Sequence, residues 1–303
     1  MMLQTPILFL VFNRLDEVAL VFEQIRQQQP TRLFIAADGP RATVPGEAAM
    51  CMATRAYVLE HIDWPCEVKT LFRNTNLGCG KAVSSAIDWF FEEVEEGIIL
   101  EDDCVPDATF FSFCTELLER YRDQHHVMHI GGSNFQLGTR RSEASYYFSR
   151  HIHVWGWATW RRAWKKYDFS LRPYHHLMKK KNQHPVIKYF LSIFHQQVDT
   201  WDIQWVLVVW FNNGCGITPD VNLVNNIGYG KNATHTRRVP YWLGKMNYGG
   251  ISTMIHPEND EINEVADKFT SDKIFHIGTL PVRIKGALQQ VRVLNKIYKR
   301  IFL

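Results

Sequence analysis

Short apolar runs alternate with segments of helical periodicity over the first 125 residues of the chain. Apolar runs bounded by turn residues are typical of strands buried on both faces. The runs that predict strands are PILFLVF (6–12), RLFIAADGPR (32–41), CEVKTLF (66–72) and IIL (98–100). Apolar residues at helical spacing predict a helix after each strand, over about 16–29, 47–61, 81–96 and from 106 onward. The alternation predicts an α/β fold with a Rossmann-like, mostly parallel sheet and flanking helices.

The alternation weakens after about residue 125. Aromatic-rich segments at 127–135 and 145–164 predict strands and loops, WDIQWVLVVWF (201–211) predicts a buried helix, and 218–230 predicts a returning strand and loop. From Pro281 to Leu303 a basic stretch with an apolar stripe predicts an amphipathic helix. We therefore expect two halves, 1–125 and 126–240, followed by a C-terminal helical extension at 241–303.

Polar or charged residues follow each of the four predicted strands. They are Asn13-Arg14, Asp38, Arg73 to Asn76, and Glu101 to Asp103. In doubly wound sheets, ligands bind in the crevice beyond the carboxyl ends of the strands. These residues are therefore expected to meet in one crevice, which is the first indication of a functional site.

Three carboxylates, Glu101, Asp102 and Asp103, stand side by side at the end of the fourth predicted strand. Like charges this close repel each other, so a cation is expected beside them. Carboxylates suit Mn²⁺ or Mg²⁺, which one or two carboxylates commonly hold against substrate phosphates. The alternative is a solvated turn in which Asp107 caps the next helix. Their position beside three other polar strand ends favours the metal.

The other strand ends carry groups suited to a nucleotide. Asp38 is either a turn residue or an acceptor for a ribose or base. The loop that holds Arg73, Asn74, Asn76, Gly78 and Gly80 could offer a guanidinium and backbone N–H groups to a diphosphate. Lys81 at a helix start either approaches phosphate or is simply exposed. Neither a Walker loop nor a GxGxxG after the first strand is present.

Composition narrows the class of protein. The chain has 46% hydrophobic and 21% charged residues, as an ordinary globular protein does, and its formal charge of +3 is too small to argue for nucleic acid as a partner.

The six cysteines form no CxxC pair, which indicates a reducing compartment. The first residues lack the features of a signal peptide, and no apolar run is long enough to span a bilayer. We expect a cytoplasmic protein.

Several motifs together resemble a known family. PILFLVFNR, LFIAADGPR, RNTNLGCGKAVSSAIDWFF, GIILEDDCVP and HVWGWATWRRAW occur in this order. They are similar to bacterial nucleotide-diphospho-sugar transferases of the GT-A fold, the hemolysin-like glycosyltransferase group, and distantly to N-acetylglucosaminyltransferase I. The resemblance covers about 1–235 and implies that 1–240 is a GT-A domain, with a nucleotide-binding half and an acceptor half.

The resemblance implies a nucleotide-sugar donor, usually a UDP-sugar, with Mn²⁺ or Mg²⁺ on its diphosphate. Asp103 would bind the metal directly, Asp102 would lie near the ribose or sugar, and Glu101 completes the motif. The nucleoside and diphosphate would be held by Asn13, Arg14, Asp38 and Arg73. The WGWA segment, with Trp155, Gly156 and Trp157, would lie against the transferred sugar.

The resemblance also implies an inverting reaction, which needs a carboxylate base beside the acceptor. Asp202 is our candidate and Asp199 the second, with helix N-capping as the alternative for both. His235 is either a late ligand of the metal or diphosphate, or a loop histidine.

The acceptor is expected to be a glycan or a lipid-linked glycan. Helix 281–303 would then contact the inner face of the membrane through its basic side, or alternatively pack on the domain. Rival functions are a sugar-1-phosphate nucleotidyltransferase, a non-catalytic nucleotide- or glycan-binding protein, and a phosphohydrolase. The first would require a Gly-rich, Arg-bearing loop after the first strand, which Phe12-Asn13-Arg14 is not.

Overall fold

The first half of the chain alternates strands and helices, as predicted. We describe a computed structural model, in which residues 2–229, 240 and 242–277 are defined. Its elements are β1 (Ile7–Val11), α1 (Leu15–Gln28), β2 (Arg32–Ala37), α2 (Glu47–Glu60), β3 (Glu67–Phe72), α3 (Cys79–Glu93), β4 (Glu96–Glu101), β5 (Cys104–Pro106) and α4 (Ala108–Arg120). Strands β1 and β4 are almost wholly buried, which explains why they appear in the sequence as continuous apolar runs.

The second half adds strands to the same sheet. Its elements are β6 (Val127–Gly131), β7 (Tyr146–Ser149), β8 (Trp157–Trp160), α5 (Arg161–Trp164), α6 (His175–Met178), α7 (Pro185–Phe194), α8 (Asp202–Phe211), β9 (Cys215–Pro219), β10 (Val224–Asn226) and α9 (Glu264–Phe269). Helix α8 is buried over nearly its whole surface, as its apolar sequence predicted.

Among the described residues, eight strands form one sheet in the order β3-β2-β1-β4-β8-β6-β9-β7. Strands β3, β2, β1 and β4 are mutually parallel, and β6 and β9 run in the same direction because β8 lies antiparallel to both β4 and β6. Only β8 and β7 run the opposite way. The prediction of a mostly parallel sheet with flanking helices is therefore confirmed.

The core lies on both faces of this sheet. On one face, α1 and α4 pack against β1, β4 and β6, and on the other, α3, α7 and α8 pack around a group of tryptophans. A separate pair of short strands, β5 and β10, brings the chain back to the acidic turn that follows β4. This return positions residues 226–229 beside the carboxyl ends of β1 and β4.

The described part of the C-terminal extension packs on the sheet edge. The backbone N–H of Asn263 donates to the carbonyl of Phe148 in β7, and the amide of Gln136 donates to the carbonyl of Ala266 in α9. His235 and helix 281–303 lie outside the described residues, so their predicted roles stay predictions. In the part of the chain that is described, no helix has the length and apolarity needed to cross a bilayer. The six cysteines are unpaired.

Candidate functional site

A cavity of about 610 Å³ lies beyond the carboxyl ends of β1, β2 and β4. It collects ten of the fifteen residues proposed from the sequence: Arg14, Asp38, Arg73, Asn76, Glu101, Asp102, Asp103, Trp155, Asp199 and Asp202. Parallel strands end at the same edge, so side chains far apart in sequence converge there. The predicted crevice therefore exists in the structure.

Arg14 supplies the positive charge that the carboxylate triplet requires. Strand β1 pairs with β4 so that Leu10 is level with Glu101, which places the residues after β1 against the acidic turn. The Arg14 guanidinium donates to Asp102 through two nitrogens and to Oδ2 of Asp103 at 3.0 Å. Within the chain itself, Arg14 thus pairs with two of the three carboxylates, and a metal ion beside them stays a prediction.

The electrostatics of the acidic turn follow from burial and crowding. Burial and the charges of Asp103, Asp102 and Asp202 raise the pKa of Glu101 well above its ordinary value. Burial also raises the pKa of Asp102 to about 6, although the adjacent Arg14 charge lowers it. Burial would lower the pKa of Arg14, but the charges of Asp102 and Asp103 raise it, so this guanidinium stays charged. At Glu101 and Asp102, burial and the neighbouring carboxylates therefore oppose ionisation, and the Arg14 charge works against this effect.

Gly228 allows the returning chain to approach Asp103 closely. A Cβ atom at this position would overlap with Oδ2 of Asp103. The backbone N–H of Ile227 donates to the carbonyl of Asp103 at 2.8 Å, which fixes the two segments together. The sequence analysis gave no role to this glycine, because its partner lies more than 100 residues earlier in the chain.

Asp38 organises the loop between β3 and α3. Its carboxylate accepts from Nδ2 of Asn76 at 2.9 Å and from the backbone N–H groups of Leu77 and Gly78 at 3.0 and 3.2 Å. Its oxygens are thus engaged in a turn, as one of the two sequence interpretations held. Contact of Asp38 with a ribose or base stays a prediction.

Arg73 lines the cavity, and its guanidinium is partly buried there. Its Nη2 donates to Oγ of Ser85 at 2.8 Å, and among the described residues it forms no ion pair. Burial lowers the pKa of Arg73 and the charge of Asp38 raises it. The effect of burial is the larger, so this pKa lies below its ordinary value. A partly desolvated guanidinium without a carboxylate partner is a strong site for a phosphate.

The two candidate bases have different surroundings. Asp202 is the first residue of α8, where the helix dipole favours a carboxylate, and its Oδ1 accepts from the Thr200 hydroxyl. Asp199 instead accepts from the backbone N–H groups of Cys79 and Gly80, both at 2.9 Å. It therefore caps α3, a helix 120 residues earlier in the chain. The structure thus leaves Asp202 as the candidate base and gives Asp199 a capping role.

The WGWA segment splits between the cavity and the core. Trp155 lines the cavity and stacks with Trp242, their ring centroids 6.0 Å apart. Trp157 is fully buried and stacks on Trp201 in the core, so its predicted contact with the sugar is wrong. Gly156 has a φ of +60°, and a Cβ there would lie 2.7 Å from Val224, so it serves chain packing rather than binding.

Two further predicted residues do not line the cavity. Nδ2 of Asn13 donates to the buried carboxylate of Glu47 at 2.9 Å, and Lys81 is exposed at the start of α3. Glu47 also receives the backbone N–H and guanidinium of Arg41, which does line the cavity. Arg41 stands in the quoted AADGPR segment, but only the folded chain shows its approach to the site.

The acidic turn offers only part of a metal site. Its carboxylate oxygens are the hard ligands that Mn²⁺ and Mg²⁺ take. Within the described ranges, however, no three His, Cys, Asp or Glu side chains converge on one point. A dication would take one or two carboxylates, from Asp103 and Asp102, and its remaining ligands from substrate phosphates and water, as Mg²⁺ usually does. The residues fit such a shared site provided that Arg14 releases Asp103.

Comparisons with known proteins give no family. No family model matches the sequence, and no curated protein matches it significantly. The structure is similar to HddC from Yersinia pseudotuberculosis, at 10% identity over 52% of this chain and 78% of that one, with a TM-score of 0.32. It is also similar to a cytidylyltransferase from Leptospira borgpetersenii, at 12% identity over 64% and 73% of the two chains, with a TM-score of 0.34.

A third solved structure is the glycosyltransferase GlyE in Streptococcus pneumoniae. It shares 9% identity over 69% of this chain and 44% of that one, with a TM-score of 0.32. Similarity at this level identifies neither a family nor an activity, so the function is argued from the cavity and its residues.

Proposed function

We propose that the protein is a glycosyltransferase that moves a sugar from a nucleoside-diphosphate sugar to an acceptor hydroxyl. One observation carries the proposal: a single cavity holds two groups, the guanidinium of Arg73 near the ends of the parallel strands and the carboxylate of Asp202 at the start of α8. Among the described residues, Arg73 has no ion-pair partner. The first suits the diphosphate of a donor and the second suits the proton of an acceptor.

In the proposed reaction, the acceptor oxygen forms a bond to the anomeric carbon of the sugar as the bond from that carbon to the diphosphate breaks. The acceptor proton passes to Asp202, and the nucleoside diphosphate leaves. Base catalysis of this kind contributes roughly 10²–10⁴-fold. Arg73 holds the diphosphate, and Trp155 offers an aromatic face to the sugar. A dication shared by Asp103 and the donor would neutralise charge on the leaving diphosphate.

The connection between β1 and α1 favours this reaction over nucleotidyl transfer. It consists only of Phe12, Asn13 and Arg14, has no glycine, and its arginine is already paired with Asp102 and Asp103. A nucleotidyltransferase needs a glycine-rich, basic loop here to enclose a triphosphate.

The uridine diphosphate sugars are the donors to test first, and glycans or lipid-linked glycans are the acceptors.

Product analysis distinguishes the candidate functions. The protein is incubated with a panel of nucleotide sugars and Mn²⁺, or with a nucleoside triphosphate and a sugar 1-phosphate. Release of a nucleoside diphosphate that falls at least 100-fold in Asp202→Asn supports the proposal. Pyrophosphate release identifies a nucleotidyltransferase, inorganic phosphate identifies a phosphohydrolase, and donor binding without products identifies a binding protein. Loss of transfer on chelation with EDTA, restored by Mn²⁺, would support the metal.

A further inference from the structure

Asp199 joins two parts of the cavity wall that are distant in sequence. Its two carboxylate oxygens accept separately from the backbone N–H groups of Cys79 and Gly80, each at 2.9 Å. These are among the first N–H groups of α3, which lack partners within the helix. The residue before them, Gly78, has no side chain to cap the helix itself. The cap of α3 therefore comes from the connection between α7 and α8.

The local sequence of α3 is adapted to this contact. Gly78 has a φ of +81°, and a Cβ there would lie 2.6 Å from Oδ2 of Asp199. A Cβ on Gly80 would lie 3.0 Å from Oδ1 of Asp199 and 2.9 Å from the carbonyl of Thr200. Any side chain at either position would thus push the connection away from α3. The glycines that suggested a phosphate loop in the sequence instead admit a carboxylate of the same chain.

The contact has consequences for the residues that follow Asp199. Asp199, Thr200, Trp201 and Asp202 all line the cavity. The Thr200 hydroxyl donates to Oδ1 of Asp202, so the position of Asp202 depends on where this short segment is held. Glu101 lines the same cavity, so the carboxyl groups of Asp202 and Glu101 belong to one site.

We propose that Asp199 is a positioning residue that, by capping α3, holds segment 199–202 against the cavity and so places Asp202 for proton transfer. The role of Asp202 in proton transfer rests on the proposed function. The fixing of segment 199–202 by Asp199 does not. A capping carboxylate by itself makes only a small contribution to stability. Displacing a catalytic group by about 1 Å can cost on the order of 10²-fold in rate.

The test compares Asp199→Ala and Asp199→Asn with the matched control Asp107→Ala. Asp107 caps α4 through the backbone N–H of Thr109 at 2.8 Å and does not line the cavity. All three variants should lose similar, small amounts of stability. Hydrogen–deuterium exchange is measured on the donor-free proteins over residues 78–82 and 195–203, and steady-state transfer is measured with donor and acceptor.

In Asp199→Ala, exchange should rise in both segments and kcat should fall about 10- to 100-fold, with little change in KM for the donor. Asp199→Asn should recover part of both effects, because an amide oxygen still accepts one N–H. Unchanged exchange in either segment, or a kcat within twofold of the control, would overturn the proposal. If the proposed function is wrong, the unsubstituted protein will show no sugar transfer. The exchange measurement then tests by itself whether Asp199 fixes segment 199–202.

Discussion

Replacing Arg14 by glutamine tests whether this side chain compensates the acidic turn. The Arg14 side chain is 15% exposed and that of Asp102 is 6% exposed, so solvent screens their pairing weakly. Removing one partner of a buried ion pair typically costs about 3–5 kcal/mol, because the other charge stays buried without compensation. We expect Arg14→Gln to lose stability of this order at pH 8.

The loss should depend on pH in a definite direction. The folded-state pKa of Asp102 is about 6, above its ordinary value near 4. The folded protein therefore binds more protons than the unfolded chain over this range, and the contribution of Asp102 to stability falls as pH rises from about 4 to about 6. The difference of about two between the folded and the ordinary pKa of Asp102 corresponds to about 3 kcal/mol in the free energy of unfolding. Without the Arg14 charge, the pKa of Asp102 should rise further, so the stability of the folded protein should continue to fall at higher pH.

The assay is urea denaturation of both proteins at pH 5, 6, 7 and 8. The destabilisation by Arg14→Gln should be small at pH 5, where Asp102 is largely protonated in both proteins, and largest at pH 8. Arg26→Gln is the matched control, since Arg26 makes a similar two-nitrogen pair with Asp63 on the exposed surface, and should change stability little at any pH. A destabilisation that is equal at pH 5 and pH 8, or greater at pH 5, would refute the reasoning.

Other substitutions test the remaining parts of the site. Gly228→Ala should displace Asp103, cost about 1–3 kcal/mol through overpacking, and lower transfer, as urea denaturation and kinetics would show. Arg73→Gln should weaken binding of a nucleoside diphosphate by roughly 10- to 100-fold in calorimetric titration, since hydrogen bonds to charged groups contribute about 1.5–3 kcal/mol. Trp157→Ala should cost about 3–5 kcal/mol of stability, whereas Trp155→Ala should chiefly impair sugar binding.

Each of these has an outcome that contradicts it. Gly244→Ala is the control for Gly228→Ala, because nothing lies within 4 Å of a Cβ at that position. Equal effects of the two alanines would argue against the close approach to Asp103. Unchanged nucleotide affinity in Arg73→Gln would remove the diphosphate role. A Trp155→Ala variant as unstable as Trp157→Ala would place both tryptophans in the core.

The amino-acid sequence alone was enough to predict the sheet and the edge at which the site forms. Buried parallel strands need apolar side chains on both faces, so β1 and β4 stand out as apolar runs. The polar residues that end them must lie at the carboxyl edge, because parallel strands finish there together. These rules are local or depend on strand order alone. They were enough to bring Arg14, Asp38 and Asp103 to one cavity.

The contacts of each of these residues could be seen only in the folded chain. Alternation along a strand would put Trp155 and Trp157 on one face, but Gly156, at a φ of +60°, turns the backbone and separates them. Asp199 caps a helix 120 residues earlier, and Arg14 reaches carboxylates 88 and 89 residues later. The spacing of residues along the chain does not predict such long-range pairs. They form because burial obliges each charge and each free N–H group to find a partner in the folded molecule.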